Sequence, residues 1–224
     1  MADFEEDAGK LTVKVVYYGP AQSGKTTNLM RLHDLPGPQL KGEIMTLETR
    51  NDRTLFFDLL PMGLRAPSGL MIKLRLFTVP GQVAHDGTRK AILSRADGVV
   101  FVADSHRNQT TNNAESFDNL MGNAARVGLD FARLPLVIQF NKRDLPESSL
   151  VPEDTIRADW RQAPWPLVFA SALLGSGVRE TFANLLAVLY RSLDADFALA
   201  ERHGLDSAAF VAGLGGVSPA AEGE

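Results

Sequence analysis

The chain of 224 residues reads as one α/β domain: a mostly parallel central sheet, helices on both faces and one antiparallel edge strand. Three observations predict this class. Strand-like and helix-like hydrophobic patterns alternate to about residue 193. Two segments, Gly98 to Asp104 and Leu134 to Phe140, are continuous apolar runs of the kind that buried parallel strands require. A strand is joined to a helix by Gly19-Pro20-Ala21-Gln22-Ser23-Gly24-Lys25-Thr26, which matches G-x-x-x-x-G-K-[ST]. The length suits one well-buried domain with an appendage. The expected division is a flexible N-terminus over 1–9, the domain over 10–193, and a C-terminal helical extension with a disordered tail over 194–224.

The elements follow in order. Leu11 to Tyr18 is rich in β-branched and aromatic residues and reads as a strand. Thr26 to Leu32 reads as a helix, stopped by Pro36 and Gly37. Leu35 to Arg53 is irregular, with Pro36, Gly37, Pro38 and Gly42; a connection this long is usually functional or mobile. Thr54 to Leu60 reads as a strand. Leu70, Ile72, Leu74 and Leu76 alternate with Met71, Lys73, Arg75 and Phe77, as a half-exposed strand does. Pro61, Gly63, Pro67 and Gly69 separate the two, which predicts an antiparallel hairpin with a loop. Asn112, with Glu115 three residues on, marks a helix start, and the helix runs to Val127. Pro135 must open its strand. Thr155 to Arg161 is a short helix and Leu167 to Ala170 the last strand. Val178, Phe182, Leu185, Leu186 and Leu189 form a helical core stripe. Asp194 to Arg202 continues that helix, Gly204 stops it, Asp206 to Ala212 adds a turn or two, and Gly213 to Glu224 is small and polar. Helix extension with a frayed tail is preferred over a docking element here.

Composition narrows the function classes. Formal net charge is −4 with no long basic run, which weighs against a nucleic-acid partner. The absence of cysteine excludes a disulfide scaffold, a thiol nucleophile, and a prenyl or palmitoyl anchor. Ala2 does not fit myristoylation, so no direct lipid anchor is expected. The acidic start Met1-Ala2-Asp3-Phe4-Glu5-Glu6-Asp7 is no signal peptide, and no apolar run has the length of a membrane span. The expected location is cytoplasmic, with any recruitment to a pole or membrane made through partners.

The glycine loop carries the first chemistry. Gly19 and Gly24 permit backbone turns that a side chain would block. Around Ala21, Gln22 and Ser23 the N–H groups then point inward as a nest for phosphate oxygens. Lys25 can reach the β- and γ-phosphates, and the Thr26 hydroxyl can ligate Mg²⁺. The helix start at Thr26-Thr27 adds the positive end of its dipole. Ligands of such sheets bind at the carboxyl ends of the strands, and further motifs stand there. Asn141-Lys142-Arg143-Asp144 fits N-K-x-D: Asp144 can accept from guanine N1–H and the N2 amine, a donor pair that adenine lacks. The Lys142 stem can lie over the base, and Asn141 can tie this loop to the phosphate loop. Ser171, Ala172 and Leu173 resemble the S-A-[KL] segment whose backbone contacts guanine O6.

Thr78-Val79-Pro80-Gly81-Gln82 stands where small GTPases usually carry D-x-x-G-Q. There the Gly81 N–H would bind the γ-phosphate and Gln82 would orient the attacking water. Thr78 replaces the usual Mg²⁺-supporting carboxylate; Asp52 or Asp58 is a candidate compensator, although ordinary surface or structural roles are preferred for both. Thr54 is the candidate sensor of Mg²⁺ and γ-phosphate. Arg53 stands either as a built-in arginine finger or, like Arg50, as a solvated side chain, and spacing does not separate the two.

These segments, with Tyr17-Tyr18-Gly19-Pro20, Gly24-Lys25-Thr26-Thr27-Asn28-Leu29, Arg53-Thr54-Leu55-Phe56-Phe57-Asp58, Asp97 to Ser105 and Asn141 to Pro146, together resemble the MglA family of bacterial Ras-like GTPases of gliding motility and cell polarity. The resemblance spans roughly residues 10–192, and Thr-Val-Pro-Gly-Gln is a family trait. It implies a Ras-like P-loop GTPase fold, a GTP-on, GDP-off switch with Mg²⁺, and hydrolysis stimulated by an MglB-like Roadblock-domain partner. It also implies effectors specific for the GTP form, and catalysis by Arg53 and Gln82 moved into place by the partner, with Lys25 on the phosphates. Reloading would call for an exchange factor. The family typically has Gly where this chain has Ala21, which implies slower hydrolysis with binding retained. A scaffold that binds guanine nucleotide without hydrolysing it is the alternative that Thr78 and Ala21 leave open; an ATP-using enzyme is disfavoured by Asp144.

Overall fold

The computed structural model describes residues 2–35, 40–48, 56–81 and 85–215. Among the described residues nine strands form one sheet: β1 (Asp3–Glu5), β2 (Lys10–Tyr18), β3 (Leu40–Lys41), β4 (Met45–Glu48), β5 (Phe56–Arg65), β6 (Met71–Thr78), β7 (Gly98–Asp104), β8 (Leu136–Asn141) and β9 (Leu167–Phe169). The main order is β3-β5-β6-β2-β7-β8-β9. The pairs from β6 through β9 are parallel, and β5 joins β6 antiparallel. The helices are α1 (Lys25–Asp34), α2 (Asp86–Leu93), α3 (Thr110–Arg126), α4 (Glu153–Asp159), α5 (Val178–Phe197), α6 (Leu199–His203) and α7 (Ser207–Gly213).

Alternation decides which face each strand residue covers. On β2, Leu11, Val13, Val15 and Tyr17 enter one core with α1, α5 and α7, whereas Val16 and Tyr18 enter the other with α2, α3 and α4. β7 lies between β2 and β8 and is buried along its whole length, which its unbroken apolar run required. On β6, Ile72, Leu74 and Leu76 are buried while Lys73 and Arg75 face out. The parallel strands all end at the rim where Tyr18, Thr78, Asp104 and Asn141 hand over to loops, so the sequence motifs are collected at one edge of the sheet.

Four local expectations change. The antiparallel edge is wider than one strand: β3 and β4 both pair with β5, and β1 pairs with β2. Leu40–Lys41 and Met45–Glu48 therefore belong to strands within a stretch expected to be irregular, and Asp3–Glu5 within one expected to be flexible. Pro61 and Gly63 lie inside β5, and the hairpin turns at 66–70. Pro61 is tolerated because β4 pairs with β5 only as far as Leu59 and the pairing of β3 starts at Met62; the missing N–H faces that gap, where the Pro61 carbonyl accepts from Gly42 N–H at 3.0 Å. Helix α3 starts at Thr110 rather than Asn112, after a 3-10 turn in which the His106 side chain accepts from Asn108 N–H. Pro36, Gly37 and Pro38 lie outside the described residues.

Beyond α5 the chain folds back on the domain. Ala198 takes a left-handed conformation, and Gly204 (φ 62°) closes α6. Asp206 caps α7 by accepting from Ala209 N–H at 2.8 Å. Leu199, Leu205, Phe210, Val211 and Leu214 are buried in the core shared with β5, β6 and α5. Tyr190 Oη donates to Leu205 O at 2.9 Å, and its ring centroid lies 5.6 Å from that of Phe210. Gly213 lets α7 approach β5: a Cβ there would meet Leu64 Cδ1 at 2.8 Å. The Ser68 Oγ–His203 Nδ1 contact at 2.9 Å ties α6 to the hairpin turn. These contacts make residues 199–214 part of the fold, so Phe210→Ala costs about 3–5 kcal/mol in urea unfolding; a loss under about 1 kcal/mol would show that α7 contributes only weakly.

Candidate functional site

The phosphate loop runs from Tyr18, at the end of β2, to Lys25, at the start of α1. Gly19 (φ 147°) and Gly24 (φ 98°) hold its turns. A Cβ at Gly19 would lie 2.2 Å from Val102 O, and one at Gly24 would lie 2.1 Å from Asn141 Nδ2, so both positions admit only glycine. Gln22 also has positive φ. Lys25 is buried, and its Nζ donates to Gly19 O at 3.1 Å and to Pro20 O at 2.6 Å. Burial, followed by the Arg89 charge, lowers its pKa to about 7. A phosphate beside Lys25 would restore the charged form. Ser23 is buried, and its Oγ has no hydrogen-bond partner.

A cavity of about 290 Å³ opens at this loop, lined by Gln22, Gly24, Lys25, Thr26 and Thr27 on one side and Thr78, Val79, Pro80 and Gly81 on the other. Gly81 packs directly on Ala21: a Cβ at Gly81 would meet Ala21 Cα at 2.2 Å and Ala21 Cβ at 3.0 Å. Thr78 is buried at the floor. Among the described residues no cluster of three or more carboxylates or histidines exists. The oxygen donors here are neutral, so a cation bound beside them needs anionic ligands from elsewhere, such as phosphates.

The loop after β8 meets the phosphate loop through one side chain. Asn141 Nδ2 donates to Ser23 O at 2.8 Å, and Asn141 Oδ1 accepts from Ala172 N–H at 2.8 Å. Lys142 takes positive φ (69°), and its Nζ donates to Asp104 Oδ2 at 2.6 Å. Ser171 Oγ donates to Asp144 Oδ1, and Arg143 N–H donates to Ala170 O. Arg31 on α1 donates to the carbonyls of Ala172 and Leu173 and fixes that third loop, while the Leu173 side chain is 62% exposed.

The structure thus places Gln22, Gly24, Lys25, Thr26, Thr27, Thr78 and Gly81 around the cavity, with Gly19, Ala21 and Ser23 on the same loop; Asn141 joins that loop to Ala172, Lys142 pairs with Asp104, and Ser171 contacts Asp144 beside Leu173. Arg53, Thr54 and Gln82 lie outside the described residues, as do Arg50 and Asp52; Asp58 lies on β5, opposite Thr46 of β4. Sequence reasoning did not single out Asp104, Arg31 or Tyr18. Asp104 ends the apolar run of β7 on a lone carboxylate, a detectable signal; Arg31 and Tyr18 act through contacts distant in sequence.

No protein-family model matches the chain. The chain is 45% identical over 184 residues, 82% of its own length and 93% of the relative's, to the mutual gliding-motility protein MglA of Myxococcus xanthus (strain DK1622). It belongs to the MglA family of small GTPases. It is also 24% identical over 189 residues to ADP-ribosylation factor-like protein 6 of Caenorhabditis elegans, covering 83% of this chain and 91% of that one. Membership in a small-GTPase family implies binding of GTP or GDP. No helix among the described residues is long and apolar enough to cross a membrane. If Asp144 reads the base, Asp144→Asn weakens GDP binding at least a hundredfold and favours xanthosine nucleotides, because the acceptor pair is lost. A competition titration with GDP, XDP and ADP checks this; unchanged guanine preference would remove Asp144 from base recognition.

Proposed function

We propose that this MglA-family GTPase is a GTP-on, GDP-off switch. A Roadblock-domain partner similar to MglB accelerates its slow hydrolysis, and effectors of cell polarity or gliding motility read the GTP form. The observation that supports this reading is the close approach of Gly81 to Ala21, where the loop after β6 packs on the loop after β2; in this reading that contact senses the γ-phosphate. The Myxococcus relative is a mutual gliding-motility protein, which supports a motility setting. Reloading with GTP falls to an exchange factor.

In the mechanism, Lys25 holds the β- and γ-phosphates and the Gly81 N–H binds the γ-phosphate. Gln82 positions the attacking water, and Arg53 offsets the charge that shifts toward the β–γ bridge. Asp144 holds the base edge, with the Lys142 stem over its face. The Thr26 and Thr54 hydroxyls would hold Mg²⁺, which when bound neutralises phosphate charge. Thr26 lines the cavity beside Thr78, and both offer the hard oxygen that Mg²⁺ accepts while retaining waters and phosphate ligands. Thr78 is neutral, so the phosphates and Lys25 carry more of the local electrostatics than in a site with a carboxylate there. Intrinsic turnover is expected on the order of 10⁻⁴ to 10⁻² s⁻¹.

Single-turnover GTP hydrolysis, with and without a Roadblock-domain partner, tests the reading. Arg53→Ala and Gln82→Ala should keep nucleotide binding and lose about 10³-fold of the stimulated rate. Ala21→Gly should raise it, because the methyl packs against Gly81 where the catalytic groups must close. Tight GTP binding with no stimulation would instead favour a scaffold, and full turnover in both alanine variants would remove the catalytic pair.

A further inference from the structure

The turn after β9 is held mainly by polar contacts. Hydrophobic packing ends at Ala172, which is buried, whereas the side chains of Leu173 and Leu174 are 62% and 71% exposed. Ser171 N–H donates to Ser176 O at 3.0 Å, Ala172 N–H to Asn141 Oδ1 at 2.8 Å and Leu174 N–H to Ser171 O at 3.2 Å. On the carbonyl side, Arg31 Nε donates to Ala172 O at 3.1 Å and Arg31 Nη2 donates to Leu173 O. Over 171–174 this leaves the N–H of Leu173 as the one backbone donor without a partner among the described residues.

Arg31 reaches this turn from α1, the helix that begins with Lys25. A cation in the last turn of a helix is favourable for the dipole alone, but that role needs no partner in another loop. Arg31 instead spans 141 and 142 positions of sequence to set its fork on two successive carbonyls, a geometry that fixes direction as well as charge. The first of those carbonyls belongs to the peptide unit that carries the Leu173 N–H. That unit is trans and planar, so its N–H points opposite to its carbonyl and away from the guanidinium. The cation on the oxygen also polarises the unit and makes the N–H a stronger donor. Ser171 Oγ ties Asp144 to the same turn, so a carboxylate acceptor and an oriented donor stand on one hydrogen-bonded unit. Guanine presents an acceptor at position 6, whereas adenine presents a donor there.

We propose that Arg31 is a positioning residue for base selection: it orients the Ala172–Leu173 peptide so that the Leu173 N–H meets the exocyclic oxygen of guanine and rejects an amine in its place. The inference rests on the nucleotide reading above. Arg31 itself touches no part of the nucleotide. Asp144 selects at N1–H and the N2 amine, and Arg31 selects at position 6 through the peptide. Different base atoms report the two, so their effects are separable.

The experiment titrates GDP, inosine diphosphate and 2,6-diaminopurine riboside diphosphate into nucleotide-stripped natural protein, Arg31→Met and Arg31→Lys. Inosine lacks only the N2 amine and so reports on Asp144. Diaminopurine keeps that amine, loses N1–H and carries an amine in place of the oxygen. The lost N1–H is common to every variant, so a change in the ratio to GDP reports on position 6. Arg31→Met keeps the stem and removes both donors. It should weaken GDP about tenfold and cut the preference for GDP over the diaminopurine nucleotide about fivefold or more, with the preference for GDP over inosine diphosphate kept within about twofold. Arg31→Lys returns a cation to the carbonyls and should recover most of the lost preference. A merely structural arginine would weaken all three nucleotides equally; equal losses overturn the proposal, as does a lysine variant that selects no better than Arg31→Met. In the natural protein GDP should also slow hydrogen exchange of the Leu173 amide about tenfold or more, and exchange indifferent to GDP overturns the proposal whether or not the variants fold. Absence of GDP binding to the natural protein sinks the nucleotide reading as well, whereas tight GDP binding with unaltered diaminopurine discrimination in Arg31→Met sinks this inference alone.

Discussion

Asn141 holds the phosphate loop, the base-side loop and the loop after β9 in one arrangement. Its amide donates to Ser23 O and accepts from Ala172 N–H, both at 2.8 Å, from the last position of a strand buried on both sides. Gly24 has no side chain because Asn141 occupies that space. The chain segments it joins are 118 and 31 residues apart in sequence, and no other described side chain hydrogen-bonds both loops. Truncating it would leave a buried carbonyl and a buried N–H unpartnered, each worth about 1–3 kcal/mol.

Beneath that contact a second polar bridge keeps the strands and helices aligned. Asn28 on α1 and Gln139 on β8 exchange two amide hydrogen bonds of 2.9 Å, and Gln139 also donates to Thr181 on α5. Such a closed network is stabilising only when every member is satisfied, and it fixes α1 against the strand that presents Asn141. The reciprocal bonds between Asn113 and the Asp104 backbone do the same for α3 and β7, which places Asp104 to receive Lys142. The loops are thus specified by a scaffold whose own polar contacts are buried.

What was legible in the sequence follows from how local each constraint is. The phosphate loop and N-K-x-D could be read because their geometry depends on residues within eight positions of each other, and the runs of β7 and β8 because full burial leaves an unbroken apolar signature. Pro61 was misplaced in a loop because its tolerance inside β5 depends on the gap between β3 and β4, which no local pattern announces. The start of α3 was misjudged because a 3-10 turn capped by His106 precedes it. The docking of α7 on Leu64, and the burial of Arg89 under Tyr18, join residues about 150 and 71 positions apart. An arginine on an amphipathic helix ordinarily reads as surface, so its burial was invisible without the fold.

The residues proposed to hold a nucleotide are presented at the ends of buried strands, and Gln82 and Arg53, the proposed catalytic pair, lie outside the described residues. The central claim is that Asn141 assembles the proposed guanine-nucleotide site, and calorimetric titration of GDP into nucleotide-stripped Asn141→Ala and natural protein tests it most directly. A loss of affinity of about a hundredfold or more, with cooperative unfolding retained, is expected from two unpartnered backbone groups; affinity within threefold of the natural protein would contradict it.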